Sequence, residues 1–141
     1  MNVSEVMTAQ VATATPRTTI AEVARTMAKV ESGAVPVVDD GRVVGLITDR
    51  DIVIRVVAEN MGLDTPVANV MTEGVETCRE DDNVAEATAK MGSKQIRRLV
   101  VLDDQGRLTG IVSLGDIATD YGAKKVGETL EEISENTPAA H

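Results

Sequence analysis

Val3-Ser4-Glu5-Val6-Met7-Thr8-Ala9-Gln10-Val11-Ala12-Thr13 returns later in the chain as Val67-Ala68-Asn69-Val70-Met71-Thr72-Glu73-Gly74-Val75-Glu76-Thr77. Val3, Val6, Met7, Thr8, Val11 and Thr13 each meet the same residue 64 positions on, and the offset then carries Ile20 to Val84, Met27 to Met91, Val37 to Val101 and Asp39 to Asp103. One extra residue in the second copy's turn raises the offset to 65, so that Gly45 meets Gly110 and Asp51 meets Asp116. Agreement over so many spaced apolar, Met-Thr and Gly/Asp positions marks an internal duplication.

Within each copy the hydrophobic period changes in one order. A short strand is expected at Val11–Thr13 and at Val75–Thr77. Ile20, Val23, Ala24, Met27 and Ala28 then have the spacing of one buried helical face, echoed by Val84, Ala87 and Met91. Thr19 stands three before Glu22 and Asn83 three before Glu86, the pattern of a capped helix start. Two strands follow around a turn, Val35–Val38 and Val43–Ile47 across Asp39-Asp40-Gly41, and Leu99–Leu102 and Leu108–Val112 across Asp103-Asp104-Gln105-Gly106. Each copy closes with a helix, near Arg50–Glu59 and near Gly115–Tyr121. The order β-α-β-β-α, read twice, is an α/β (α+β) architecture with repeats at 1–64 and 65–123 and an acidic tail over 124–141. Gly62–Pro66 reads as the linker. Each small sheet has an apolar face that needs a cover, so the copies are expected to pack together. Val126, Leu130 and Ile133 make an apolar stripe for a short tail helix.

Composition narrows the function. Tyr121 is the single aromatic residue in 141, so stacking of bases or cofactors on rings is unavailable. A net charge of -9 opposes non-specific nucleic-acid binding, which depends on a basic face. No apolar run is long enough to span a bilayer, and Met1–Glu5 lacks the features of a signal peptide, so a cytoplasmic location is expected. Cys78 and His141 are the only cysteine and histidine, which leaves no disulfide framework and no His/Cys metal site. The same poverty of nucleophile and base partners argues against an enzyme, and Cys78 has no histidine to activate it.

The segments with chemistry are Gly45-Leu46-Ile47-Thr48-Asp49-Arg50-Asp51 and Gly110-Ile111-Val112-Ser113-Leu114-Gly115-Asp116, both of the form G-h-h-[ST]-x-x-D at a strand end that opens a helix. A hydroxyl beside helix N-terminal amides suits a phosphate, and a carboxylate one turn on can accept from both hydroxyls of a ribose. The same residues also fit a capping box, which needs no ligand.

With the Val-Met-Thr openings, Val35-Pro36-Val37-Val38-Asp39 and Ile96-Arg97-Arg98-Leu99-Val100-Val101, these segments give a chain that resembles the tandem CBS domain pair, or Bateman module, in its small stand-alone bacterial form. The resemblance covers residues 3 to 122. It implies a pseudo-two-fold pair with two clefts that take adenosine-containing ligands such as AMP, ADP or ATP, with no required cofactor. By motif position it implies Asp51 and Asp116 on ribose, Thr48 and Ser113 facing phosphate, and Val11, Thr13, Val35, Pro36, Val75, Thr77, Leu99 and Val100 around the adenine slots. Val100 stands where the first copy has Pro36, a departure in the second slot. Arg50, Lys94, Arg97 and Arg98 are further phosphate candidates. The last three fall opposite Val30, Gly33 and Ala34, so the second copy is expected to prefer the more highly phosphorylated ligand. A homodimer and an unidentified regulated protein are the expected partners. The rival expectation is a protein-interaction or oligomerisation module whose clefts stay empty.

Overall fold

The computed structural model describes residues 1–121 and 130–134. Its compact units do not follow the repeat boundaries: one joins Met1–Gln10 to the chain from Glu76 onward, and the other is Val11–Val75. Each repeat therefore gives its opening segment to the body of the other. The left-handed residues Gln10 (φ 53°) and Gly74 (φ 65°) stand at equivalent positions beside the two crossings.

The first-repeat unit is built on the antiparallel pair β2 (Ala34–Asp39) and β3 (Arg42–Thr48). Helix α1 (Ile20–Val30) is capped by Thr19, whose hydroxyl oxygen accepts the Glu22 N–H. Ile20, Val23 and Met27 enter the core with Val35, Val37, Ile47, Val56, Val67 and Val70, whereas Ala24 and Ala28 are exposed. Two strands cover only a narrow stripe of a helix, and the alanine methyls fall outside it. Helix α2 begins at Asp49–Asp51 and continues as a π-helix over Ile52–Val57, with Ala58 N–H reaching Val53 O and Met61 N–H reaching Val56 O.

The second-repeat unit is a four-stranded sheet in the order β1 (Thr8–Ala9), β6 (Leu108–Ser113), β5 (Arg98–Leu102), β4 (Thr77–Arg79). Among the described residues of this sheet, β4 and β5 run parallel and the other two pairings are antiparallel. Helices α3 (Val84–Lys94) and α4 (Leu114–Tyr121) supply Val84, Ala87, Met91, Leu114 and Ile117 to a core that also holds Val3, Val6, Leu99, Val101 and Val112. Residues 130–134 are helical, with Leu130 half-buried and Ile133 buried against this core. Val126 lies outside the described residues.

The expected first strands shift towards the C-terminus. Val75–Thr77 gives way to Thr77–Arg79, and Val11–Thr13 to a single parallel bridge between Ala14 and Val37. Proline explains the shorter version. In the second copy the ladder continues as Glu80 N–H donates to Leu102 O, whereas the equivalent residue of the first copy is Pro16, which has no N–H. Among the described residues no helix is long and apolar enough to cross a membrane.

Candidate functional site

Both G-h-h-[ST]-x-x-D segments run from a strand end into a helix, and in both the hydroxyl residue and the aspartate bond reciprocally. Thr48 N–H donates to Asp51 Oδ2 at 3.0 Å while Asp51 N–H donates to Thr48 Oγ1 at 3.1 Å. Ser113 N–H and Asp116 Oδ2, then Asp116 N–H and Ser113 Oγ, repeat those distances. The motif glycines have a separate task. A Cβ on Gly110 would lie 2.4 Å from Thr8 O, and one on Gly45 would lie 2.5 Å from Met71 Sδ and 3.0 Å from Thr72 O. Each glycine admits the opening segment contributed by the other repeat, and Leu46 and Thr72 exchange both backbone bonds at 2.9 Å.

Sheet register fixes what stands beside each hydroxyl. Ala34 pairs with Thr48, and Arg98 pairs with Ser113. Arg97 adds its backbone, its carbonyl accepting the Leu114 N–H at the start of α4. Arg97 and Arg98 are exposed and make no ion pair with the described residues. On the other side, Gly33 O accepts the Asp49 N–H, and a Cβ on Gly33 would meet Asp49 Oδ2 at 2.6 Å. The first-repeat position is thus acidic and crowded where the second-repeat position is basic.

The two aspartates also differ. Asp51 is 8% exposed, and its carboxylate receives the Thr72 hydroxyl at 3.3 Å (Oδ1) and 3.4 Å (Oδ2), with Arg55 Nη1 3.8 Å from Oδ1. Asp116 is half-buried, and its Oδ1 has no hydrogen-bond partner among the described residues. Of the other phosphate candidates, Lys94 lies 3.8 Å from Glu76, which Lys90 also approaches at 3.7 Å, and Arg50 is exposed, its N–H turned to Asp49 Oδ1.

Alternation along the strands sorts the adenine-slot candidates. Val35 and Leu99 point into the two cores, so only their backbones can line a slot, while Pro36 and Val100 lie on the opposite sheet faces. Thr77 pairs with Val100, and its carbonyl accepts Lys90 Nζ. Val11 and Val75 are half-buried and Thr13 is exposed. Thr72, Arg55, Glu76 and Lys90 are the site neighbours that sequence reasoning misses. One signal was on hand for Arg55: its counterpart 65 positions on is Asp120, a reversal of charge.

The CBS domain model matches residues 3–58 and again 67–121. The chain is 40% identical over 134 residues to the CBS domain-containing protein YhcV of Bacillus subtilis, covering 94% of this chain and 95% of that one. Among solved structures it resembles the CBS domain protein TA0289 of Thermoplasma acidophilum (TM-score 0.82, 28% identity, 94% of this chain, 75% of that one). It also resembles the CBS domain protein PAE2072 of Pyrobaculum aerophilum, solved in complex with AMP (TM-score 0.78, 27% identity, 92% and 98%). The chain belongs to the CBS domain family, and its two CBS domains form a tandem pair.

Proposed function

We propose that this chain is a regulatory module that senses an adenine nucleotide and catalyses nothing. The ligand is AMP, ADP or ATP, held on the Arg98–Ser113–Asp116 face of the second-repeat unit. The observation that carries this is the register pairing of Arg98 with Ser113, which puts an exposed arginine and a hydroxyl on the same sheet face at a helix start whose half-buried Asp116 carboxylate has one oxygen without a partner among the described residues. Asp116 Oδ1 can accept from a ribose hydroxyl while Arg97 and Arg98 meet phosphate, so a longer phosphate chain binds more tightly. The AMP complex of PAE2072 supports the ligand class. In this reading the module is cytoplasmic, acts on a separate regulated protein, and dimerises through the exposed aliphatic face of Val53, Ile54 and Val57.

One observation favours a rival, an interaction module with empty sites: both capping boxes are complete without any ligand. Calorimetry with AMP, ADP and ATP separates the two. Binding by the parent, with Asp116→Ala and Arg98→Ala each weaker by about tenfold or more, upholds nucleotide sensing, since a charge-assisted bond is worth about 1.5–3 kcal/mol. No binding by the parent leaves the interaction module.

A further inference from the structure

We propose that Arg55 and Thr72 form a latch on Asp51. The latch fastens the Val67–Thr72 segment to the body of the first repeat and takes that carboxylate out of ligand binding, so that the chain holds one nucleotide, at Asp116. The one-nucleotide half rests on the reading above, and the fastening half stands without it.

The segment is gripped in three ways. Thr72 exchanges both backbone bonds with Leu46, its hydroxyl donates to the Asp51 carboxylate, and Arg55 Nη1 donates to Val70 O at 2.8 Å and Met71 O at 3.2 Å. Arg55 is in the π-helical stretch that starts one residue past Asp51, and its guanidinium spans the distance from that carboxylate to the segment's carbonyls. Asp51 is therefore surrounded by partners of its own chain at 8% exposure. A ribose could take it only by displacing the Thr72 hydroxyl from a carboxylate that is already buried and bonded within its own chain.

Among the described residues, the second repeat shows the backbone grip alone. Thr8 pairs with Ile111 as Thr72 does with Leu46, but its hydroxyl makes no bond to Asp116. Asp120 stands in the sequence where the latch has Arg55, and a carboxylate cannot donate to a carbonyl. Two copies of one motif have thus been divided between fastening and binding.

The test counts AMP per chain by native mass spectrometry and follows amide hydrogen exchange in the parent, in Thr72→Val, which keeps the side-chain shape, and in the double variant Thr72→Val/Arg55→Ala. The proposal expects one AMP on the parent, none on Asp116→Ala, and two on the double variant, whose 67–72 amides exchange about tenfold faster or more while those of β6 are unchanged. Two AMP on the parent with one retained by Asp116→Ala overturns the one-nucleotide half. Unchanged exchange over 67–72 in the double variant overturns the fastening. If no protein in the set binds AMP, ADP or ATP, the nucleotide reading and the one-nucleotide half fall together, and faster exchange over 67–72 still upholds the fastening.

Discussion

Cys78 sits in the middle of β4 at 6% exposure, within the second-repeat core. Burial pushes its thiol up from the ordinary 9.0 to about 11, the Asp82 carboxylate adds to the rise, and Lys90 opposes it. A thiol raised on folding stabilises the native state fully below its unfolded value, and the contribution is lost as pH climbs from about 9 to about 11. Two pH units correspond to about 2–3 kcal/mol. Denaturant unfolding near pH 8 and near pH 10.5 should show this loss in the parent and a smaller one in Cys78→Ala; equal losses in the two would remove the claim. The expectation of an inert thiol is legible in the sequence, whose single histidine is the terminal His141. The inequality of Asp51 and Asp116 is not. It depends on Thr72 and Arg55, which approach Asp51 only once the chain has folded, from 21 residues away in the case of Thr72.

Among the elements, α1, α3 and the two hairpins are where the periodicity puts them, and Thr19 and Asn83 both cap, although Asn83 bonds the Ala85 N–H rather than the third amide of its helix. The π-helical continuation of α2 is illegible, because Ile52–Val57 is an unbroken aliphatic run apart from Arg55 and has no period to measure. The motif glycines are legible as invariants of the repeat but not as contacts, since what they admit comes from the other repeat. A methyl at Gly110 would meet the backbone carbonyl of Thr8, and at Gly45 the flexible end of Met71 as well as the Thr72 carbonyl. Gly110→Ala should therefore destabilise by about 1–3 kcal/mol, and Gly45→Ala by less, because a methionine side chain can move more cheaply than a strand. Thermal unfolding of both variants checks the order; a larger loss in Gly45→Ala would contradict it.

At the scale of the whole molecule, repeat and compact unit are different divisions of the chain. Periodicity finds the repeats because it is a local signal, but it does not reveal that opening segments are exchanged, which is a choice between two near-identical seats. Val3 and Val6 lie in the second-repeat core, with Val3 N–H donating to Asp82 O and Ser4 N–H to Glu80 O. Burying each valine is worth about 1.5–3 kcal/mol. A chain lacking residues 1–9 should lose hydrogen-exchange protection in β5 and β6 while keeping it in β2 and β3, whose core is made within Val11–Val75. Equal loss in both pairs of strands would show that the units do not hold their cores separately.

The exchange also sets a timetable for synthesis. Val11–Val75 ends with its own fastening segment, so this unit can close as soon as that stretch has left the ribosome. Met1–Gln10 emerges first and waits longest, because its seat extends to Ile133. At about 5–20 residues per second the roughly sixty residues from Val75 to Ile133 take on the order of 3–12 seconds. Throughout that interval Val3, Val6 and Met7 have no seat on their own chain, and the sister seat is already filled by Val67–Thr72.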